Sequence, residues 1–269
     1  MRVLDPRLAS LDFLRIAGLR AKRRQHQVPD AVTLMRRAGL EPDAWQAELL
    51  RSGASRQLLL ACRQSGKSTT CAVLALWHAL SEPKSLILLL SPSLRQSQEL
   101  FKKVQDAYRA LGHPAPLQAE SALRYELTNG SRIIALPGTE SNIRGYSSVN
   151  LLVIDEASRV MDDLFFAVSP MLAVSRGRVV ALSTPWGRRG WFYEMWDHGE
   201  GWERTKITAE QCPRIPADFL AAEKRTLPPM WYDSEYACIF GDTVNSVFRS
   251  EDIAEMFRQD AEPLFPLGV

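Results

Sequence analysis

A chain of 269 residues, 46% hydrophobic and 24% charged, can bury a sizeable core in one large or two small domains. It has no apolar run of membrane-span length and no basic-then-apolar signal peptide, because Asp5, Asp12 and several arginines interrupt the start. Four scattered cysteines without a C-x-x-C pair argue against a zinc site or disulfide framework and fit a reducing cytoplasm, and a net charge of +2 is too small to mark a nucleic-acid binder by itself.

Residues 1–40 are basic, with Arg20, Lys22, Arg23 and Arg24 clustered and Arg36 and Arg37 following. Leu8, Leu11, Leu14 and Ile16 recur at helical spacing, so the segment reads as an amphipathic helix. A solvated helix face and a nucleic-acid contact fit its charge equally. Pro29-Asp30 opens a short helix that Gly39 closes, and Pro42 leads into a helix ending near Leu50. Then 57–61 reads as strand, 68–80 as helix, 85–90 as strand and 95–111 as helix. The runs 123–127 and 132–136 flank Asn129-Gly130, the strongest short hairpin signal. Two more apolar strands follow at 151–154 and 178–182. The run SLILLL at 85–90 is continuous, as in a parallel strand covered on both faces. The interleaving predicts an α/β fold, a parallel sheet with helices on both faces. Beyond residue 210, Pro213, Pro216, Pro228 and Pro229 break a mostly helical tail. The chain therefore divides into a basic helical segment (1–40), a core (41–210) and a lid or linker subdomain (211–269).

At 58–70 an apolar strand runs into a loop and a helix: LLLACRQSGKSTT. Backbone N–H groups at such a loop and helix N-terminus cradle anions. Gly66 allows close approach to phosphate, Lys67 supplies charge to β- and γ-phosphates, and the Ser68 hydroxyl can ligate Mg²⁺. Arg63, Gln64, Ser65, Gly66, Lys67, Ser68 and Thr69 form the candidate nucleotide cradle. Ala61 stands where the phosphate-loop motif has its first glycine.

LLVIDEAS at 151–158 is an apolar strand ending in two acids. Ligands of open α/β sheets sit beyond the carboxyl ends of strands. Asp155 is the candidate magnesium residue, directly or through water, and Glu156 can polarise an attacking water. RVVALSTP at 178–185 ends a further strand in Ser183-Thr184, hydroxyls that could sense a γ-phosphate. Charge on a transferring phosphoryl group needs a further cation. Arg63 lies inside the loop, and Arg144 lies 12 residues before Glu156 in a Gly/Ser-rich stretch. Arg188 and Arg189 stand among Trp186, Trp191, Phe192, Tyr193 and Trp196. Either they lie near a DNA path or subunit interface, or the aromatics fill the core and the arginines solvate a turn.

The segments WQAELL (45–50), CRQSGKS (62–68), NIRG (142–145), VIDEAS (153–158) and LSTPWGRRGWFYEMW (182–196) occur in this order. Across 40–200 the set resembles the ATPase (motor) domain of the terminase large subunit, the DNA-packaging motor of tailed bacteriophages. The resemblance implies an ASCE, RecA-like P-loop NTPase fold. It implies that Gln46 reads adenine, that the loop is a deviant Walker A tolerating Ala61, that Arg144 is an intersubunit arginine finger, and that Asp155 and Glu156 are Walker B and catalytic acid. Ser183 and Thr184 become the coupling motif. The cofactors implied are ATP and Mg²⁺. The partners implied are double-stranded DNA, a pentameric ring of identical subunits, a viral portal and the terminase small subunit, with no membrane, in the cytoplasm of an infected bacterium. The family also carries a C-terminal RNase H-like nuclease domain. No second cluster of spaced acids follows here and PLFPLGV at 263–269 looks like the lead-in to it, so an isolated motor domain without nuclease activity is expected.

A helicase-like translocase shares the D-E-A pattern, but needs a second RecA-like domain for which too little chain remains after residue 210. A nucleotide-dependent binding module with little turnover is the other alternative, and Glu156 argues against it.

Overall fold

The computed structural model describes residues 28–138, 143, 145–241 and 256. The basic helix expected before residue 28, the loop arginine Arg144 and the 263–269 tail lie outside the described residues.

The helices expected around Asp30 and Pro42 are α1 (Ala31–Arg37) and α2 (Ala44–Arg51). Asp30 caps α1 through its carboxylate, which accepts from the Val32 and Thr33 N–H groups. The Gln46 carbonyl reaches back to the Asp43 N–H at 2.8 Å, as in a capping box. Eight strands then form one sheet: β1 (Arg56–Ala61), β2 (Leu86–Ser91), β3 (Leu117–Ser121), β4 (Arg124–Leu127), β5 (Arg132–Pro137), β6 (Leu151–Asp155), β7 (Arg178–Ser183) and β8 (Glu203–Ile207). Their order across the sheet is β3-β4-β5-β2-β6-β7-β1-β8.

From β5 to β8 every pairing is parallel, and the β3-β4-β5 edge is antiparallel. The sheet is therefore mixed, where the interleaved pattern predicts a parallel one. The turn at Asn129-Gly130 causes this, being too short for a crossover. Gly130 takes φ +85, while the Asn129 side chain accepts from the Ser131 N–H and donates to the Ala79 carbonyl. Strands β3 and β8 carry no apolar patterning that would mark them in the sequence.

Every residue of β2 and β6 is buried, so both faces of the central sheet are covered, as their unbroken apolar runs imply. Helix α3 (Lys67–Ser81) packs against the central strands, and α4 (Leu94–Ala110) covers β2 and β5. The α4 stripe Leu100, Phe101, Val104, Ala107 and Tyr108 is buried at helical spacing. Helices α1 and α2 pack in turn on α3. Two helices that the sequence pattern does not announce, α5 (Asp162–Val168) and α6 (Gly190–Asp197), bring Phe165 and Trp191 together. Their rings stack with centroids 3.9 Å apart, and the indole N–H donates to the Val160 carbonyl. The tail carries α7 (Ala217–Thr226) and α8 (Pro229–Glu235). No helix among the described residues is long and apolar enough to cross a membrane.

The strand order positions the site. Parallel strands present their carboxyl ends along one edge, and β7 lies between β1 and β6. Leu60 pairs with Ser183, and Leu182 with Asp155. The phosphate loop, Ser183-Thr184 and the acidic pair therefore follow the ends of three adjacent strands.

Candidate active site

The loop Cys62–Gly66 leaves β1 and enters α3 at Lys67. Gly66 caps α3 in a left-handed conformation, φ +87. A Cβ there would sit 2.8 Å from Gln46 Nε2 and 3.2 Å from an Arg214 nitrogen, and the left-handed backbone itself favours glycine. Gln64 is also left-handed, at φ +59, without being glycine. Such backbone costs about 1–3 kcal/mol and marks functional loops. Ser65 is buried and donates to the Cys62 carbonyl at 2.9 Å, drawing the loop into a tight curl. Ala61 is wholly buried strand, paired with Ile207 of β8, so nothing in its backbone requires the missing glycine. Ser68 and Thr69 are half-buried on the first turn of α3.

Lys67 is buried, and its Nζ lies 3.7 Å from Glu156 Oε1. Asp155 is buried beside it and accepts from the Glu156 N–H at 3.0 Å. Burial pushes the Asp155 carboxyl above the usual range, and the Glu156 charge adds to this. Lys67 and the Ser68 hydroxyl pull the other way. Glu156 itself is left-handed, φ +50, and opens a 3₁₀ turn over Ala157–Arg159. Two carboxylates with one lysine make a site that favours a further cation. Among the described residues no three His, Cys, Asp or Glu side chains converge as a metal cage. A cation here would take few protein ligands, Asp155 and Ser68, which suits magnesium.

Ser183 and Thr184 are buried at the end of β7. Ser158, two residues past Glu156, ties them to the acidic turn. Its hydroxyl lies 2.6 Å from Ser183 Oγ and donates to the Thr184 carbonyl at 2.9 Å. Ser158 closes the VIDEAS segment and carries no signal of its own in the sequence. Arg188 and Arg189 are exposed, whereas Trp191 and Phe192 are core. The aromatics and arginines thus part company, and Trp186 is instead covered by the Arg159 guanidinium at 4.0 Å.

The tail closes over the loop through residues that carry no sequence signal. The Arg63 N–H donates to the Glu235 carbonyl at 3.1 Å, and Arg63 Nε lies 3.6 Å from the buried Glu235 carboxylate. The Arg63 side chain is 70% exposed, so this ion pair restrains it little. Cys62 Sγ packs 3.7 Å from Cys212 Sγ. Arg214 bonds to both Asp43 and the Ser65 carbonyl. A proline-broken tail gives no spacing from which Arg214 or Glu235 could be picked out.

A family model of the terminase large subunit, T4likevirus-type, N-terminal, matches residues 58–255. The chain belongs to this family. The terminase large subunit of Thermus virus P23-45 is 25% identical over 253 residues, an alignment covering 80% of this chain and 52% of that protein. The chain thus spans about half the length of the curated relatives it matches. Among solved structures, the large terminase ATPase domain of Thermus phage P74-26 superposes with TM-score 0.69 at 20% identity, covering 80% of this chain and 99% of that one. The HK97 bacteriophage large terminase gives TM-score 0.62 at 14% identity, covering 75% and 51%. The fold is thus that of the terminase ATPase domains, a RecA-like P-loop fold with an antiparallel edge.

In this terminase fold burial makes Asp155 hold its proton more tightly than it does in the unfolded chain. A carboxyl that binds its proton more tightly folded than unfolded gives stability present at low pH. That stability is lost as pH rises from the ordinary value of 3.8 through the folded one. At neutral pH, without nucleotide or metal, ionised Asp155 is a cost. Asp155→Asn is therefore expected to raise Tm in EDTA at pH 8, by about 2–4 °C per kcal/mol relieved at this chain size. The gain should shrink toward pH 4, as thermal melts across pH would show. A lower Tm at pH 8 would mean the ionised carboxylate is already well compensated by Lys67.

Proposed function

We propose that this chain is the ATP-hydrolysing motor domain of a terminase large subunit and that it couples hydrolysis to moving double-stranded DNA into a viral capsid. The observation that carries this is the meeting of buried Lys67 and Asp155 with the half-buried Glu156 beyond the ends of adjacent strands, in a chain of the terminase family. Residues 41–210 serve as the ATPase core and 211–269 as its lid or linker.

The backbone N–H groups of Arg63 to Thr69 bind the phosphates, and Lys67 neutralises β- and γ-oxygens. Asp155 and Ser68 would hold magnesium, which would supply Lewis-acid chemistry to the phosphoryl transfer. Glu156 orients the attacking water and accepts its proton. Gln46 borders the base. Arg63 within the subunit and Arg144 from a neighbour supply cations to the transferring phosphoryl group. Ser183 and Thr184, tied through Ser158 to the turn after Glu156, pass loss of the γ-phosphate onward. The working assembly is a pentameric ring on a portal, fed by the small subunit, in the cytoplasm of the infected host.

The test is phosphate release from ATP against protein concentration, with Glu156→Gln as the blank. Turnover per subunit that climbs with concentration supports Arg144 acting in trans. A flat rate above the blank keeps the ATPase and moves the weight to Arg63. A wild-type rate equal to the blank, with nucleotide bound, would leave either a motor silent without its ring or a binding module.

Moving any genome requires binding to phosphates rather than bases. The exposure of Arg188 and Arg189 supports a place for them on that surface. The double alanine variant is expected to bind duplex DNA more weakly and to lower the salt slope by about two, one for each phosphate that is no longer neutralised. Unchanged affinity and slope would assign both arginines to turn solvation.

A further inference from the structure

Arg214 precedes α7 in the tail, yet its guanidinium ends at the phosphate loop. Nη1 donates to Asp43 Oδ1 at 3.1 Å, and Nη2 lies 2.8 Å from Asp43 Oδ2. The Nη2 hydrogen bond itself goes to the Ser65 carbonyl. One side chain thus spans the residue that starts α2 and the residue before Gly66. Burial does not force it there, because the Arg214 side chain is 44% exposed.

Covalent geometry then fixes the neighbouring groups. A trans peptide points its C=O and N–H in opposite directions. Holding the Ser65 carbonyl toward Arg214 therefore fixes the Gly66 N–H facing away from the tail, in a loop whose N–H groups serve as the anion cradle. Gln46 is held as well. Its Oε1 is taken by the Asp43 N–H, and its Nε2 lies over Gly66 beside Arg214. Asp43 bonded to Arg214 thus sets the helix carrying Gln46 against the phosphate loop.

We infer that Arg214 is a nucleotide-positioning residue supplied by the tail, holding the base-side helix and the Gly66 peptide in register for an adenine nucleotide. The inference rests on the ATP reading above and extends it: affinity for nucleotide depends on the seating of the tail. A lysine cannot replace Arg214, because one ammonium cannot reach Asp43 and the Ser65 carbonyl in the planar fork an arginine provides.

The test is ADP binding by calorimetry and ATP turnover for the full 269-residue chain. Arg214→Ala is expected to weaken ADP and raise KM for ATP by about ten- to a hundredfold, the range for losing hydrogen bonds to a charged group. The kcat should stay within about threefold and Tm close to wild type. Arg214→Lys should recover little of the affinity. Asp43→Asn, which can still cap α2, should raise KM in the same direction, and combining it with Arg214→Ala should add nothing. Unchanged ADP affinity in Arg214→Ala, or a fall in kcat with KM unmoved, overturns the inference alone. Should Arg214→Ala not fold, Asp43→Asn with wild-type KM overturns it instead. A wild-type chain that binds no ADP overturns the nucleotide reading, and this inference with it.

Discussion

Glu156→Gln is expected to lower ATP turnover by about 10²–10⁴-fold, the usual worth of a positioned general base, while nucleotide still binds. Glutamine keeps the shape and can hold the same left-handed turn, φ +50, at similar strain. What it loses is the ability to take a proton. The substitution also removes the charge that helps push Asp155 upward, so Asp155 ionises more readily. Magnesium-dependent nucleotide affinity should therefore be equal to or tighter than wild type, and the split between intact binding and lost turnover is the signature. Single-turnover phosphate release with calorimetric ATP binding checks both halves. Turnover within about threefold of wild type, far short of a general base's worth, would place the base elsewhere.

Lys67→Ala is expected to act on binding first. Lys67 is the cation facing both acids, and its loss leaves buried Asp155 beside a half-buried Glu156 with no countercharge. Lys67 would also no longer reach the phosphates, and losing a charged hydrogen-bond donor costs about 1.5–3 kcal/mol, so ADP affinity should fall about ten- to a hundredfold. The pH dependence has a definite sign. With the lysine gone, Asp155 holds its proton to still higher pH, and protonation removes the repulsion. The variant should therefore melt further below wild type at pH 8 than near pH 4, close to the ordinary carboxyl value of 3.8. Equal deficits at both values would mean that Lys67 acts through packing alone.

Much of this was legible in the sequence for one physical reason. Strands buried on both faces must be apolar throughout, so β2, β6 and β7 stand out as uninterrupted runs. The phosphate loop and acidic pair were readable because each follows such a run, where a parallel sheet gathers its ligands. Edge strands obey the opposite rule. β3 is exposed at nearly every position, and β8 (ERTKI) carries Glu203, Arg204 and Lys206. Charge of this kind protects an edge from pairing with another chain and also hides it from pattern reading. Arg204 goes further, donating to the Trp196 and Met195 carbonyls at the end of α6. The aromatic run after residue 185 invited a nucleic-acid reading, but Trp191 serves the core by stacking on Phe165. Arg214 and Glu235 were invisible for another reason: their partners are far along the chain, and one arginine in a polar tail resembles any other.

The edge strand β8 has a mechanical consequence. It runs parallel to β1 from Gln57↔Glu203 to Ala61↔Ile207, and Cys62 adds one more bond to the Ile207 carbonyl. It then continues directly into the tail that carries Arg214 and Glu235. A pull on that tail along the strand axis loads these bonds side by side, in shear, rather than peeling them one at a time. Tension is thus delivered to the strand that ends in the phosphate loop, with no hinge between. β8 and β1 form a lap joint between the strand that enters the phosphate loop and the chain that leaves Ile207 for Arg214.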